Sequence, residues 1–311
     1  VSLAPVSPGE PVYSTKWTLA DSHRYKLQLE DRDGRRNKLT ANLSVNVTKN
    51  QPPKIAMSQP GHDVRVSPVE ELRLNAQMSD DFGLLRHGVN YSIAGQEPKE
   101  IVLGADGMPT AKKALLDQLI DFEAIHAEPD QLVSYFVWAE DSGPDGQPRR
   151  TEGDIYFAEV RHFEEIFRQG EQPPSGSAQE MEGQQGNAQQ AEQLAELQKE
   201  LINATWKVIR RETGAIPTDK LVSDAKLLQE TQETVIRQAQ EFEEKLQDNT
   251  SRLNLGAAVG FMTEAAKRLG EVAQSNTTTA LKPAMASEQA AYQALLKLRA
   301  REFEVIRSNS R

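Results

Sequence analysis

The hydrophobic period changes halfway along the chain, and that change limits the fold more than any other feature. Up to about residue 161 the apolar residues alternate; from about residue 191 they recur every three or four. Strand side chains switch faces at every residue, whereas helix side chains return to a face about every 3.6, so the first half reads as β and the second as α.

In the first half, residues 12–19, Tyr25 to Leu29 and Leu39 to Val47 read as strands, with Asp31 to Gly34 as a sharp turn. Pro52 and Pro53 end this region, because proline cannot donate to a ladder. A second β-region spans Lys54 to Arg161. Leu72 to Ala76, Val89 to Ile93, Ile101 to Leu103, Tyr135 to Ala139 and Ile155 to Val160 read as strands. Ser79 to Leu84 and Asp141 to Gly146 read as turns, and residues 111–127 as a strand followed by a short helical turn.

The two β-regions share a repeat. Tyr25-x-Leu27-x-x-Glu30-Asp31, then Asp33-Gly34 and a strand ending at Val47, matches Tyr135-x-Val137-x-x-Glu140-Asp141, then Asp145-Gly146 and a strand ending at Val160. One strand, an acidic glycine turn and a last strand is the closing hairpin of an immunoglobulin-like sandwich. Such a sandwich needs about seven strands in about 100 residues. Residues 53–161 have that room; residues 1–50 read as the C-terminal part of another such module, which implies sequence upstream. The chain begins Val1-Ser2-Leu3 without initiator methionine or signal peptide, so an internal or mature piece is expected.

Residues 162–170 suggest a short helix with Phe163, Ile166 and Phe167 on one face, and residues 171–190 a Gln/Gly-rich linker. From 191 to 307 the pattern is helical and coiled-coil-like. Leu194, Leu197, Leu201, Ala204 and Val208 form one stripe, stopped by Gly214 and Pro217. Thr218 is placed to cap a second helix running from Leu221 through Leu228, Gln232 and Val235 to Leu246. Leu255, Ala258, Met262, Ala265, Leu269 and Val272 mark a third, and a fourth begins near Ser287 with Ala291, Leu295, Leu298 and Val305. Short connections predict antiparallel hairpins. The expected fold is therefore multidomain β plus α: immunoglobulin-like β-sandwich modules followed by an antiparallel helical bundle.

Chemical signatures are sparse. A net charge of -10 and pI near 5.2 argue against nucleic acid and anionic membrane as partners. The chain has no cysteine, which removes disulfides and thiolate metal sites, and no long apolar window that would span a bilayer. His23, His62, His87, His126 and His162 lie outside metal-ligand spacing of one another, and no nucleophile elbow, P-loop or dinucleotide fingerprint occurs. No cofactor is expected apart from calcium, for which Asp31, Asp33, Asp80, Asp81, Asp141 and Asp145 are the candidate ligands, since clustered acidic turns supply hard oxygens. The plainer reading of the same residues is turn formation. Tyr135, Phe136, Trp138, Tyr156 and Phe157 offer either a binding platform or core packing. Trp206 reads as a packing residue, and Gly256-x-x-x-Gly260 as a close contact between soluble helices. Asn42, Asn46, Asn203, Asn249 and Asn276 begin glycosylation sequons that matter only in a eukaryotic secretory setting.

Asp80-Asp81-Phe82-Gly83-Leu84 followed by Tyr91, then Tyr135 to Asp141, Ile155 to Arg161, Phe163 to Phe167 and Ser287 to Glu302 resemble a group of large bacterial membrane-anchored envelope proteins. The likeness covers most of residues 12–307. It implies immunoglobulin-like modules followed by Ala/Gln/Glu-rich helices, placed outside the cytoplasm, periplasmic or at the cell surface. The group has no established activity, so the resemblance assigns no catalytic residue. The sequence thus predicts a non-enzymatic structural or interaction segment that meets protein partners, or itself, through its helices. A calcium-dependent adhesion module, or accessory domains of a larger enzyme, are the alternatives.

Overall fold

The computed structural model describes residues 3–6, 12–16, 18–31, 33–94, 96–104, 111–162, 178–214 and 216–309. They fall into two compact units, Val1–Gln51 and Pro52–Arg311. The short helix expected over 162–170 lies, apart from exposed His162, outside the described residues.

In the first unit β1 (Ala4–Pro5) pairs with β2 (Tyr13–Ser14), and β3 (His23–Leu27) with β4 (Ala41–Val45), both antiparallel. Tyr25 stands opposite Leu43, so the expected hairpin is present. The strand expected over 12–19 shrinks to β2. Among the described residues of this unit none is buried; Leu27, Leu29 and Leu43 keep 41%, 53% and 55% of their surface exposed.

The second unit holds β5 (Lys54–Gln59), β6 (Val64–Val66), β7 (Glu71–Ile93), β8 (Lys99–Leu103), β9 (Ala111–Asp121), β10 (Leu132–Ser142), β11 (Pro148–Glu152) and β12 (Tyr156–Val160). The pairing order is β5-β7-β10-β12-β6, with β8 and β9 also on β7 and β11 also on β10. Every pair is antiparallel except β6 with β12.

β7 corrects one sequence expectation. Asp80 to Gly83 do not reverse the chain; they form a bulge inside one strand of 23 residues. Asp80 Oδ1 accepts from the amides of Phe82 (2.9 Å) and Gly83 (2.6 Å), and Gly83 takes φ +120, which favours glycine. The bulge reverses the alternation. Leu72, Leu74, Ala76 and Met78 face the core before it, and Val89, Tyr91 and Ile93 after it. The N-terminal half of β7 pairs with β5 and β9, the C-terminal half with β8 and β10. Both halves contribute to one core with Leu116, Ile120, Val133, Tyr135, Val137 and Val160, so the sheet is curled over that core. Residues 111–127 follow their expectation, a strand and then a tight turn.

Among the described residues four helices follow: α1 (Ala178–Arg211), α2 (Leu221–Glu243), α3 (Asn249–Ser275) and α4 (Leu281–Asn309). α1 begins inside the segment expected to be linker, so residues 178–190 are helix rather than mobile spacer; 171–177 lie outside the described residues. α4 starts six residues before Ser287, with Pro283 in its first turn, where a missing N–H costs nothing. Thr218 does not cap α2. Its amide and hydroxyl both donate to Glu212, and Lys220 holds the cap position without a side-chain bond.

The helices pack in a ring, each on the next and α4 on α1. Contacts run in opposite directions along each pair. Lys245 meets Gln190, Gln232 meets Gln198 and Asp224 meets Arg211 between α1 and α2. Arg299 meets Glu192 and Glu288 meets Thr205 between α4 and α1. The stripes read from sequence for α2 and α3 are buried throughout; in the first helix Leu197 is exposed, and Gln198 takes the inward position. Gly256 and Gly260 do not mark a close helix contact, since a Cβ at either would meet nothing within 4 Å.

The bundle is not a separate tail. Leu132, Ile155 and Phe157 belong to the same buried cluster as the helices, and Phe136 packs against Trp206 with ring centroids 4.5 Å apart and the rings tilted by 47°. Trp206 Nε1 donates to Gly153 O (3.0 Å), and Gln289 Nε2 to Ser134 Oγ (3.1 Å). β10 is therefore buried on both faces, one by the curled sheet and one by α1 and α4. Residues 53–161 and 191–307, expected as separate domains, form one compact unit.

Candidate interaction site along the open edge of the sheet

The six candidate calcium ligands do not converge. Asp31 and Asp33 lie in the first unit, where Asp31 accepts from the amides of Asp33 and Arg35 (2.9 Å each) and pairs with the Arg35 guanidinium. Asp33 pairs with the same arginine. In the second unit Asp80 holds the β7 bulge, and exposed Asp145 accepts from the Gln147 amide (3.0 Å) within its turn. Asp141 is fully buried and takes a two-point bond from Arg149, at 3.1 Å and 2.5 Å. That bond, then the charges of Asp141, Asp80 and Asp81, raises the Arg149 pKa despite partial burial. The three carboxylates gathered at this end of the sheet thus share a fixed cation of the chain's own. Among the described residues no three His, Asp or Glu side chains are placed to hold one metal ion.

The geometry extends the internal repeat to residues the sequence reading left out. Glu30 pairs with Arg36 and Asp31 with Arg35; Glu140 stands opposite Arg150 and Asp141 opposite Arg149. Each turn is closed by a Glu-Asp step facing an Arg-Arg step. The signal was visible as Arg35-Arg36 and Arg149-Arg150, at different distances from the acidic pair because the turns differ in length.

Of the two readings of the aromatic cluster, binding platform or core packing, the geometry favours packing. Tyr135, Trp138 and Phe157 are buried, and Tyr135 stacks on Tyr156 across β10 and β12. Arg150 lies 3.9 Å over the Trp138 ring and reaches Glu100 on β8 at 2.7 Å. Gly88 admits this arrangement, because a Cβ there would sit 2.8 Å from Trp138 and 2.1 Å from the Ile101 carbonyl.

β11 presents the feature best suited to meeting another molecule. One edge pairs with β10; among the described residues no strand lies on the other. Two hollows follow that edge. One, about 860 Å³, opens between the β10–β11 turn, the end of α1 and the α3–α4 connection. The other, about 430 Å³, lies between β11 and the last turns of α1. Arg149, Arg150, Lys207, Arg210, Arg211 and Lys282 line them, with Asp145, Glu152 and Glu212, and the four arginines are each bonded to a carboxylate. Arg210 pairs with Asp154, and Arg211 with Glu212 (2.8 Å) and Asp224 (2.5 Å). Among the described residues Lys207 and Lys282 form no ion pair. Burial alone would raise the Glu212 pKa, but the Thr218 bonds and Arg211 hold it below the usual carboxylate value. Glu212, which lines the larger hollow, is thereby held in place by Thr218 and Arg211.

No family model and no curated protein matches the chain. Among solved structures it is similar to the Clostridium thermocellum CbhA fibronectin(III)-like modules, with 19% identity over 55% of this chain and 76% of that one, at a TM-score of 0.21. It is also similar to pT26-6p, with 13% identity over 84% of this chain and 51% of that one, at a TM-score of 0.24.

Proposed function

We propose that this chain is a non-catalytic structural and interaction segment of a bacterial cell-envelope protein. The observation that carries the reading is the shared core of sheet and bundle. Leu132, Phe136, Ile155 and Phe157 are covered by helices, and Trp206 and Gln289 are bonded to the sheet. Such a joint makes a stiff spacer out of two elements that would otherwise swing. In the same reading residues 53–161 are an immunoglobulin-like sandwich. β5, β9 and the first half of β7 supply one layer; β6, β12, β10, the second half of β7 and β8 supply the other. The parallel β6–β12 pair and the chain's crossing between layers within β7 support that assignment. The sequence resemblance to membrane-anchored envelope proteins supports an extracytoplasmic site. The calcium alternative draws less support, because Asp31, Asp33 and Asp141 are bonded to arginines.

Protease accessibility tests the placement. With an epitope inserted in the exposed Asp145–Gly146 turn, spheroplasts of the producing bacterium should lose the epitope to added protease while the cytoplasmic membrane is intact. Protection until that membrane is broken would overturn the envelope reading.

A further inference from the structure

The geometry points to β11 as a docking edge for an extended acidic peptide, which adds to the sheet as a strand beside Pro148–Glu152 with its carboxylates among Lys207, Lys282 and the neighbouring arginines. This rests on the reading of the chain as an interaction segment and names the partner chemistry. Three observations support it. The outer edge of β11 leaves backbone donors and acceptors unpaired by any described strand, which is the template that strand addition uses. β5, β6, β8 and β9 also end the sheet, but β11 is the strand that both hollows follow. Between them the two hollows are lined by every residue of the strand, Pro148 to Glu152. The charge that would meet an acidic chain comes from two lysines that form no ion pair among the described residues, Lys207 of α1 in one hollow and Lys282 of α4 in the other.

Proline and arginine on an edge also guard against indiscriminate pairing, and Pro148, Arg149 and Arg150 serve that end. A guard made of cations repels basic strands and admits acidic ones, so protection and selectivity follow from the same residues.

The test uses the full chain, isotope-labelled, titrated with an N-acetylated peptide of alternating Glu and Val. The expected result is amide shifts at Arg149 to Glu152 and at Lys207 to Arg211, and affinity about tenfold weaker in a Lys207→Glu, Lys282→Glu double variant. The same peptide N-methylated at alternate residues keeps its charge but loses ladder donors, and it should not bind. No shift along β11, equal binding of the N-methylated peptide, or heparin occupying the groove with the β11 amides unmoved would each overturn strand addition. The melting temperature, followed in parallel, reports the stiff-spacer reading separately; it stays unchanged if only the docking proposal fails.

Discussion

Glu288 is the residue at which the bundle is most exposed to chemistry. It is buried at the α1–α4 contact, where Thr205 donates to Oε1 at 2.8 Å and Oε2 finds no hydrogen-bond partner among the described residues. Burial pushes the carboxyl up to about 7, against the Thr205 bond, which lowers it. An unfolded glutamate releases its proton near 4.5, so the folded chain binds more protons between the two values. Its contribution is therefore fully present below about pH 4.5 and lost as pH rises through about 7. Glu288→Gln keeps the shape and the Thr205 bond without the charge. The variant should match the parent near pH 4.5 and exceed it at pH 8 by roughly 1–3 kcal/mol, read from urea unfolding at both pH values. A parallel pH dependence of the two proteins would show that Glu288 does not titrate in the fold. Glu288 continues the stripe read from Ala291, since Glu288, Ala291, Leu295, Leu298 and Glu302 step three and four and all are buried, but the sequence reading did not include it. Residue type hid it, because a glutamate on a helix is read as solvated unless its partner is known. Ser251 donating to buried Glu302, and Gln198 as the partner of the stripe residue Gln232, were hidden the same way.

Among the elements, α2 and α3 were the most legible, since each buries one narrow stripe against other helices and period alone finds it. α1 was less so. It touches both helices and sheet, so its buried face is too wide for a single three-four step. β7 was misread because Asp-Asp-x-Gly has the composition of a turn, while pairing partners far along the chain hold the backbone extended. β11 was missed because Pro148 and two arginines do not look like a strand; partnership with β10 makes it one. The element most open to test is the docking face of α1. Trp206→Ala removes the ring contact with Phe136 and the bond to Gly153, and should cost about 3–5 kcal/mol. It should also expose the residues flanking α1 to limited proteolysis under native conditions. A loss below about 1 kcal/mol would mean that the helices hold to the sheet by other contacts.

At the scale of the molecule the decisive contact is the one no local pattern announces. Sheet and bundle are each readable, but their joint depends on which face of β10 is left apolar: Leu132 and Phe136 outward, Val133 and Tyr135 inward. Charged groups seal it. Glu159 accepts from Arg299 at 2.8 Å and Arg161 at 2.7 Å, and Arg299 reaches Glu192 at 2.7 Å. Burial would raise the Glu159 carboxyl, but these guanidiniums hold it down to about 2. A fragment of residues 52–162 should therefore melt well below residues 52–311 and bind a hydrophobic dye, because it bares Leu132, Phe136, Ile155 and Phe157. Equal melting temperatures for the two would make the bundle an appendage after all.

The antiparallel ring of helices also has a mechanical meaning. Glu192 and then Thr205 of α1 are bonded to Arg299 and then Glu288 of α4, so the start of α1 and the end of α4 lie at one end of the bundle. Tension applied between them would peel α1 from α4 turn by turn, opening the Arg299 contact first and the Thr205–Glu288 contact later. If the chain serves as the proposed spacer, this arrangement would resist swinging and give way to pulling in small steps instead of breaking at once.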